Sequence, residues 1–227
     1  MPYDPDRHHR RSIRLKGYDY TQPGAYFVTI CTQDRTCLFG DVVDEEIRLN
    51  EAGQMVHAVW DELKVFYPGV QTDAFVVMPN HVHGIIVLTG QTVGAGPRAC
   101  PDIVTDGMGQ PRDAGQPRDA GQPRDAGQPR GVAPTLSLGD VVHRFKTMTT
   151  KRYTDGVKQF GWAPFHGRLW QRNYYEHIIR DERALDRIRE YIVSNPLRWA
   201  FDRENLQRTG VDEFDIWLER DSKNKGR

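Results

Sequence analysis

The sequence predicts an α+β protein in which an antiparallel sheet is layered with helices. Three observations carry that prediction. Short runs of β-branched and aromatic residues alternate with segments whose apolar positions recur every three or four residues, two of the strand-like runs are joined only by Pro79-Asn80, and helical segments separate the others.

Taken in order, Tyr26-Phe27-Val28-Thr29-Ile30-Cys31-Thr32 follows the turn signal Gln22-Pro23-Gly24 and reads as a strand. From Asn50, a side chain suited to cap a helix, Val56, Val59, Trp60, Leu63 and Tyr67 keep helical spacing until Pro68-Gly69 stops them. Thr72 to Met78 and His81 to Leu88 read as a strand pair, because Pro79 lacks a ladder donor and Asn80 tolerates turn geometry. Further on, Val141, Val142, Phe145 and Met148 define one face of a helix whose other faces are basic. A strand falls within Arg168 to Ile179. Leu185, Ile188 and Ile192 mark a helix that begins after Asp181 and ends at Asn195, since a residue before proline disfavours the helical region. The order β-α-β-β-α-β, with one more helix carrying Tyr191, matches a ferredoxin-like sandwich.

The 227 residues suit one domain with appendages: a basic arm over 1–24, a domain over 25–205 interrupted by an insertion at about 90–134, and a tail over 206–227. Residues 109–130 repeat Gly-Gln-Pro-Arg-Asp-Ala, a unit too poor in apolar side chains to offset its ordering entropy, so a disordered insertion is expected. Basic and acidic residues balance at 31 each, which leaves any attraction to polyanions to local stripes. Such stripes occur at Arg7, Arg10, Arg11, Arg14 and Lys16, and again at Arg144, Lys146, Lys151 and Arg152. Each reads equally as a solvated surface. Three cysteines without a CxxC argue against a disulfide framework. The lack of an apolar leader or a membrane-length apolar run predicts a cytoplasmic protein with no membrane partner. No Walker loop, Ser-His-Asp ordering or Rossmann glycine fingerprint supports nucleotide hydrolysis or redox work.

The chemistry-bearing feature is His81-Val82-His83. Side chains two apart on a strand share a face, so both imidazoles can meet one metal ion. Tyr191 and Asn195, four apart, stack on one helical face and can meet the same small object. On spacing alone, an edge-of-core tyrosine and a helix-terminating asparagine explain that pair as well.

Arg11-Ser12-Ile13-Arg14-Leu15-Lys16-Gly17-Tyr18-Asp19-Tyr20, Met78-Pro79-Asn80-His81-Val82-His83, Phe145-Lys146, Leu169-Trp170-Gln171-Arg172-Asn173-Tyr174-Tyr175-Glu176-His177 and Tyr191-Ile192 through Asn195-Pro196 together resemble the single-tyrosine HUH transposases. Among these the chain is most similar to the REP-associated tyrosine transposases, over about residues 7 to 205. The resemblance implies that His81 and His83 hold a divalent cation, Mg²⁺ or Mn²⁺, that Asn195 completes the metal site where the insertion-sequence branch carries glutamine, and that Tyr191 is the nucleophile. It implies cleavage and strand transfer of single-stranded or hairpin DNA through a covalent 5′-phosphotyrosine, with the protein on the nucleoid when bound. Arg10, Arg11, Arg14, Lys16, Arg144, Lys146 and Arg172 would contact phosphates. Tyr174 and Tyr175 compete with Tyr191 for the nucleophile role, and monomer and homodimer remain equally open. A non-catalytic single-strand-binding module is the alternative from another class, and a water-using nuclease a third.

Overall fold

The computed structural model describes residues 17–90 and 136–224. Arg10, Arg11, Arg14 and Lys16, and the repeat at 109–130, lie outside the described residues. In chain order the elements are β1 (Gly24–Cys31), β2 (Gly40–Val43), β3 (Glu46–Leu49), α1 (Glu51–Phe66), β4 (Val70–Met78), β5 (His81–Leu88), α2 (Leu138–Phe160), β6 (Tyr175–Ile179), α3 (Glu182–Ser194) and α4 (Glu213–Asn224). The main sheet runs β4-β5-β1-β6 with every neighbouring pair antiparallel. The fold is α+β, with a four-stranded antiparallel sheet plus helices.

Local chemistry sets the element ends. The Asn50 side chain caps α1 by accepting from Gly53 N at 2.9 Å, and Asp181 caps α3 by accepting from Ala184 N at 2.8 Å. Ser137 and Asp140 form a reciprocal capping box on α2, which stops at Gly161 in the left-handed region (φ 71°). Met78 pairs with His81, so Pro79 and Asn80 alone make the turn between β4 and β5.

Alternation along the strands divides the molecule into two cores. Tyr26, Val28 and Ile30 of β1 and Val82, Ile86 and Leu88 of β5 pack with Val56, Val59, Trp60 and Leu63 of α1 and with Val141, Val142 and Phe145 of α2. Trp60 stacks on Phe75 with centroids 4.3 Å apart, and Gly84 leaves room for it, since a β-carbon there would collide with the indole. Burying each such large apolar side chain contributes about 1.5–3 kcal/mol. On the opposite face Phe27 and Ile85 meet Ile188, Tyr191 and Ile192 of α3 and Phe214 and Leu218 of α4.

Three elements, β2, β3 and α4, carry no sequence expectation. The β2–β3 hairpin turns through Asp44 and Glu45, both left-handed at φ 53° and 64°, without the Asn-Gly or Asp-Gly pair that marks such turns. Helix α4 arises within the segment read only as a tail, and it buries Phe214 and Leu218, one helical turn apart. Among the described residues, no helix is long and apolar enough to cross a membrane.

Candidate metal centre and tyrosine

The second face of the sheet carries the polar cluster. On β5, His81 and His83 point the same way, and their Nε2 atoms lie 3.0 Å apart. Each ring is held from behind. Asn80 Oδ1 lies 2.8 Å from His81 Nδ1, and Thr29 Oγ1, directly across the strand pair, lies 2.9 Å from His83 Nδ1. Both imidazoles therefore turn Nε2 toward a common centre, the arrangement by which outer hydrogen bonds orient ligating histidines.

A third group completes that centre. Asp202 Oδ2 stands 3.7 Å from His81 Nε2 and 3.6 Å from His83 Nε2, and all three residues are buried. Asp202 follows the 3₁₀ turn Pro196–Arg198, and its other oxygen accepts from Glu204 N at 2.7 Å, which fixes the carboxylate. Asn195, at the end of α3, donates from Nδ2 to Asp202 Oδ2 at 3.0 Å, while its buried Oδ1 has no hydrogen-bond partner among the described residues. The Tyr191 hydroxyl donates to Asp202 Oδ2 at 3.3 Å and lies 3.4 Å from His83 Nε2. Its ring stacks on Phe214 with centroids 3.7 Å apart and meets the edge of Phe27.

Electrostatics follow from burial. Desolvation pushes the His81 imidazole down to about 4 despite the nearby Asp202 carboxylate, so at neutral pH the ring is neutral and offers a lone pair. Burial opposes ionisation of Asp202, yet the two imidazoles and the Asn195 amide outweigh it and hold the carboxyl well below the usual range. Burial, reinforced by the Asp202, Asp215 and Asp212 carboxylates, raises the Tyr191 phenol far above its usual value. Asp215 is pushed up to about 6 by burial, with Asp202 and Asp212 adding to the effect.

The donors fit a divalent cation. His81, His83 and Asp202 offer ligand atoms within 4.8 Å of one another, a mixed nitrogen and oxygen set without thiolate. The partnerless Asn195 Oδ1 is a further oxygen at the same cluster. The four residues His81, His83, Tyr191 and Asn195 thus come together. Asp202 was not foreseen, and neither spacing nor periodicity sets it apart from the other acidic residues.

The remaining candidates lie elsewhere. The Lys146 ammonium donates to the carbonyls of Gln171, Arg172 and Asn173 at 2.9, 3.4 and 3.1 Å and sits over the Tyr174 ring. Burial pushes Lys146 down to about 8. Arg144 lies over the Phe66 ring with its carbon 5.0 Å from the centroid, and Arg172 is exposed. Tyr175, on β6, lines a small cavity with Thr29, His83, Tyr191 and Arg203.

No family model matches the chain. Among solved structures, one of a REP-associated tyrosine transposase bound to a REP hairpin aligns with a TM-score of 0.44 at 18% identity, covering 82% of this chain and 74% of that one. A putative transposase from Deinococcus radiodurans R1 aligns with a TM-score of 0.33 at 19% identity, covering 80% of this chain and 96% of that one. A protein of Haemophilus influenzae (strain ATCC 51907 / DSM 11121 / KW20 / Rd), itself called an uncharacterized protein, is 38% identical over 204 residues, 88% of this chain and 96% of its own length. At that identity across nearly the whole of both proteins, this chain belongs to the same family as the Haemophilus influenzae protein.

Proposed function

We propose that this chain is a metal-dependent DNA-processing enzyme of the single-tyrosine HUH transposase type, built on a ferredoxin-like scaffold, that cleaves and rejoins single-stranded or hairpin DNA. One observation carries the reading: the Tyr191 hydroxyl stands 3.4 Å from His83 Nε2 and 3.3 Å from Asp202 Oδ2, at the point where two imidazoles and a carboxylate converge. The motif series in the sequence supplies the transposase type, and the order of strands in the sheet, with β1 between β5 and β6, suits the scaffold.

His81, His83 and Asp202 would hold the cation, Mg²⁺ or Mn²⁺, with Asn195 Oδ1 as a further oxygen. The chemistry such a cation would supply there is withdrawal of charge from a phosphodiester. Tyr191 Oη bonds to phosphorus, the bond from phosphorus to the 3′ oxygen breaks, and the 3′ hydroxyl leaves with a proton, so the 5′ phosphate is joined to the phenol. A second 3′ hydroxyl reverses the step on another strand, which is strand transfer. The exposed Arg172 and, beyond the described residues, Arg10, Arg11, Arg14 and Lys16 would contact phosphates, with Arg144 on the intervening helix, while Lys146, whose ammonium is held by three carbonyls, would brace the loop that carries Arg172. The place of action is the cytoplasm and nucleoid.

Tyr191 is only 3% exposed beneath Phe214, so the reaction requires α4 to give way before a phosphate can reach the hydroxyl. That closure also favours a second reading, a non-catalytic nucleic-acid-binding module. One gel separates the two. Full-length protein with Mn²⁺ and single-stranded or hairpin DNA should form a covalent adduct that Tyr191→Phe abolishes. An adduct undiminished by that change moves the nucleophile to another residue, and binding without any adduct, insensitive to His83→Ala, favours the module.

A further inference from the structure

Asn80, His81, His83 and Thr29 form a continuous hydrogen-bonded row, and all four are buried. The two ends of the row differ. Asn80 Nδ2 donates to the carbonyls of Arg35 and Glu204 at 3.1 and 2.9 Å, which commits its Oδ1 to accept from His81 Nδ1. His81 therefore carries its proton on Nδ1 and turns a lone pair from Nε2 toward His83. At the other end stands a hydroxyl, which can donate or accept.

Two arrangements satisfy the row. Without a cation, two facing lone pairs 3.0 Å apart would repel, so His83 Nε2–H donates to His81 Nε2 and the Thr29 hydroxyl donates to His83 Nδ1. For both Nε2 atoms to bind one cation, His83 must carry its proton on Nδ1, and Thr29 Oγ1 must accept it. The hydroxyl hydrogen is then available to the small cavity that Thr29 lines with His83, Tyr191 and Arg203.

We propose that Thr29 is a positioning residue that holds His83 in either tautomer, and that the site passes between a cation-free hydrogen-bonded row and a cation-binding pair by turning over this one ring and hydroxyl while Asn80 keeps His81 fixed. The inference rests on the metal reading above. The N–H bond at His83 Nε2 breaks and one at Nδ1 forms, with water carrying the proton, so the pair keeps its proton count. Thr29 faces His83 in strict cross-strand register, which keeps the hydroxyl in place in both states.

The test is long-range ¹H–¹⁵N correlation of the full chain labelled in its histidines, first stripped by chelator and then saturated with Zn²⁺, a diamagnetic probe. The expected stripped spectrum shows His81 protonated on Nδ1 and His83 on Nε2. With Zn²⁺, His83 should change to Nδ1–H and His81 should not. Thr29→Val should bind Zn²⁺ at least about tenfold more weakly, the usual cost of losing an outer partner of a ligand, and Thr29→Ser should restore binding. A stripped protein with both rings on Nδ1–H, or with His83 doubly protonated, overturns the proposal whether or not the valine variant folds. Zn²⁺ binding that leaves His83 on Nε2–H, or wild-type affinity in Thr29→Val, overturns the switch and spares the metal reading. Failure of Zn²⁺ to perturb either ring in the wild type overturns both.

Discussion

The two faces of the sheet are built from the same strands and differ by one step along them. Val82 belongs to the apolar face and is fully buried against α1 and α2, while His81 and His83 on either side of it belong to the other. The first face is close-packed aromatic and aliphatic carbon, with Trp60 stacked on Phe75 and edged by Phe145. The second mixes Phe27, Ile85 and Phe214 with two histidines, an asparagine, an aspartate and a phenol. Burial on the first face is net favourable, whereas on the second each polar group carries a cost that hydrogen-bond partners offset, Asn195 Oδ1 excepted. The contrast teaches that the polar cluster takes its rigidity from the opposite side: the spacing of the two imidazoles is clamped because Val82 between them is locked into a core.

The sharpest way to break that contrast is Trp60→Ala, which should cost about 3–5 kcal/mol in denaturant unfolding because it empties a stacked, fully buried site. A loss below about 1 kcal/mol would mean that the apolar face does not carry the stability. Next, Mn²⁺ at about a hundred times its dissociation constant should stabilise the wild type by about 2.7 kcal/mol and leave His83→Ala unmoved. Equal shifts in both proteins would place the cation away from the polar face.

Asp215 gives a smaller effect whose sign depends on pH. Its folded value of about 6 lies above the ordinary 3.8, so the native state binds more protons between the two, and stability falls as pH rises through that window. Above it the penalty is complete. Asp215→Asn should therefore be more stable than the metal-free wild type at pH 7.5, by about 1–3 kcal/mol at about 1.4 kcal/mol per pKa unit. The two proteins should converge below about pH 4, and a gap independent of pH would rule out ionisation as its cause. The smallest effect belongs to the surface. Glu62→Ala removes the two-pronged contact with Arg152, at 2.7 Å on each prong, yet both side chains are a third or more exposed, and about 0.5 kcal/mol or less should be lost, shrinking with salt.

Much of the fold was legible because its signals are local. The runs Tyr26 to Thr32 and His81 to Leu88, the spacing of Val56 to Leu63, and the stop at Asn195-Pro196 all lie within single elements, and the structure places strands and helices there. The histidine pair and Tyr191 were legible for the same reason. Asp202 was not, because it reaches the histidines from an irregular segment and only tertiary folding brings it near. The β2–β3 hairpin turns on Asp44-Glu45, and although aspartate enters the left-handed region more readily than most residues, glutamate seldom does, so the pair does not stand out as a turn. Helix α4 buries few apolar positions in a charged stretch, so its period is faint. Lys146 reads as part of a basic stripe, and the distant loop carbonyls that receive its ammonium leave no trace in the local sequence.

The polar cluster is contributed by two separate lengths of chain. The imidazoles and their orienting partners Asn80 and Thr29 sit on paired strands of the sheet, while phenol, amide and carboxylate all come from residues 191–202. That stretch is a cassette. A truncation just ahead of it would leave the sheet its nitrogen donors and strip away phenol, amide and carboxylate at once. An exchange of the stretch between two copies of the chain would instead carry over all three groups in their mutual arrangement, so the reunited halves would meet as the same chemical unit.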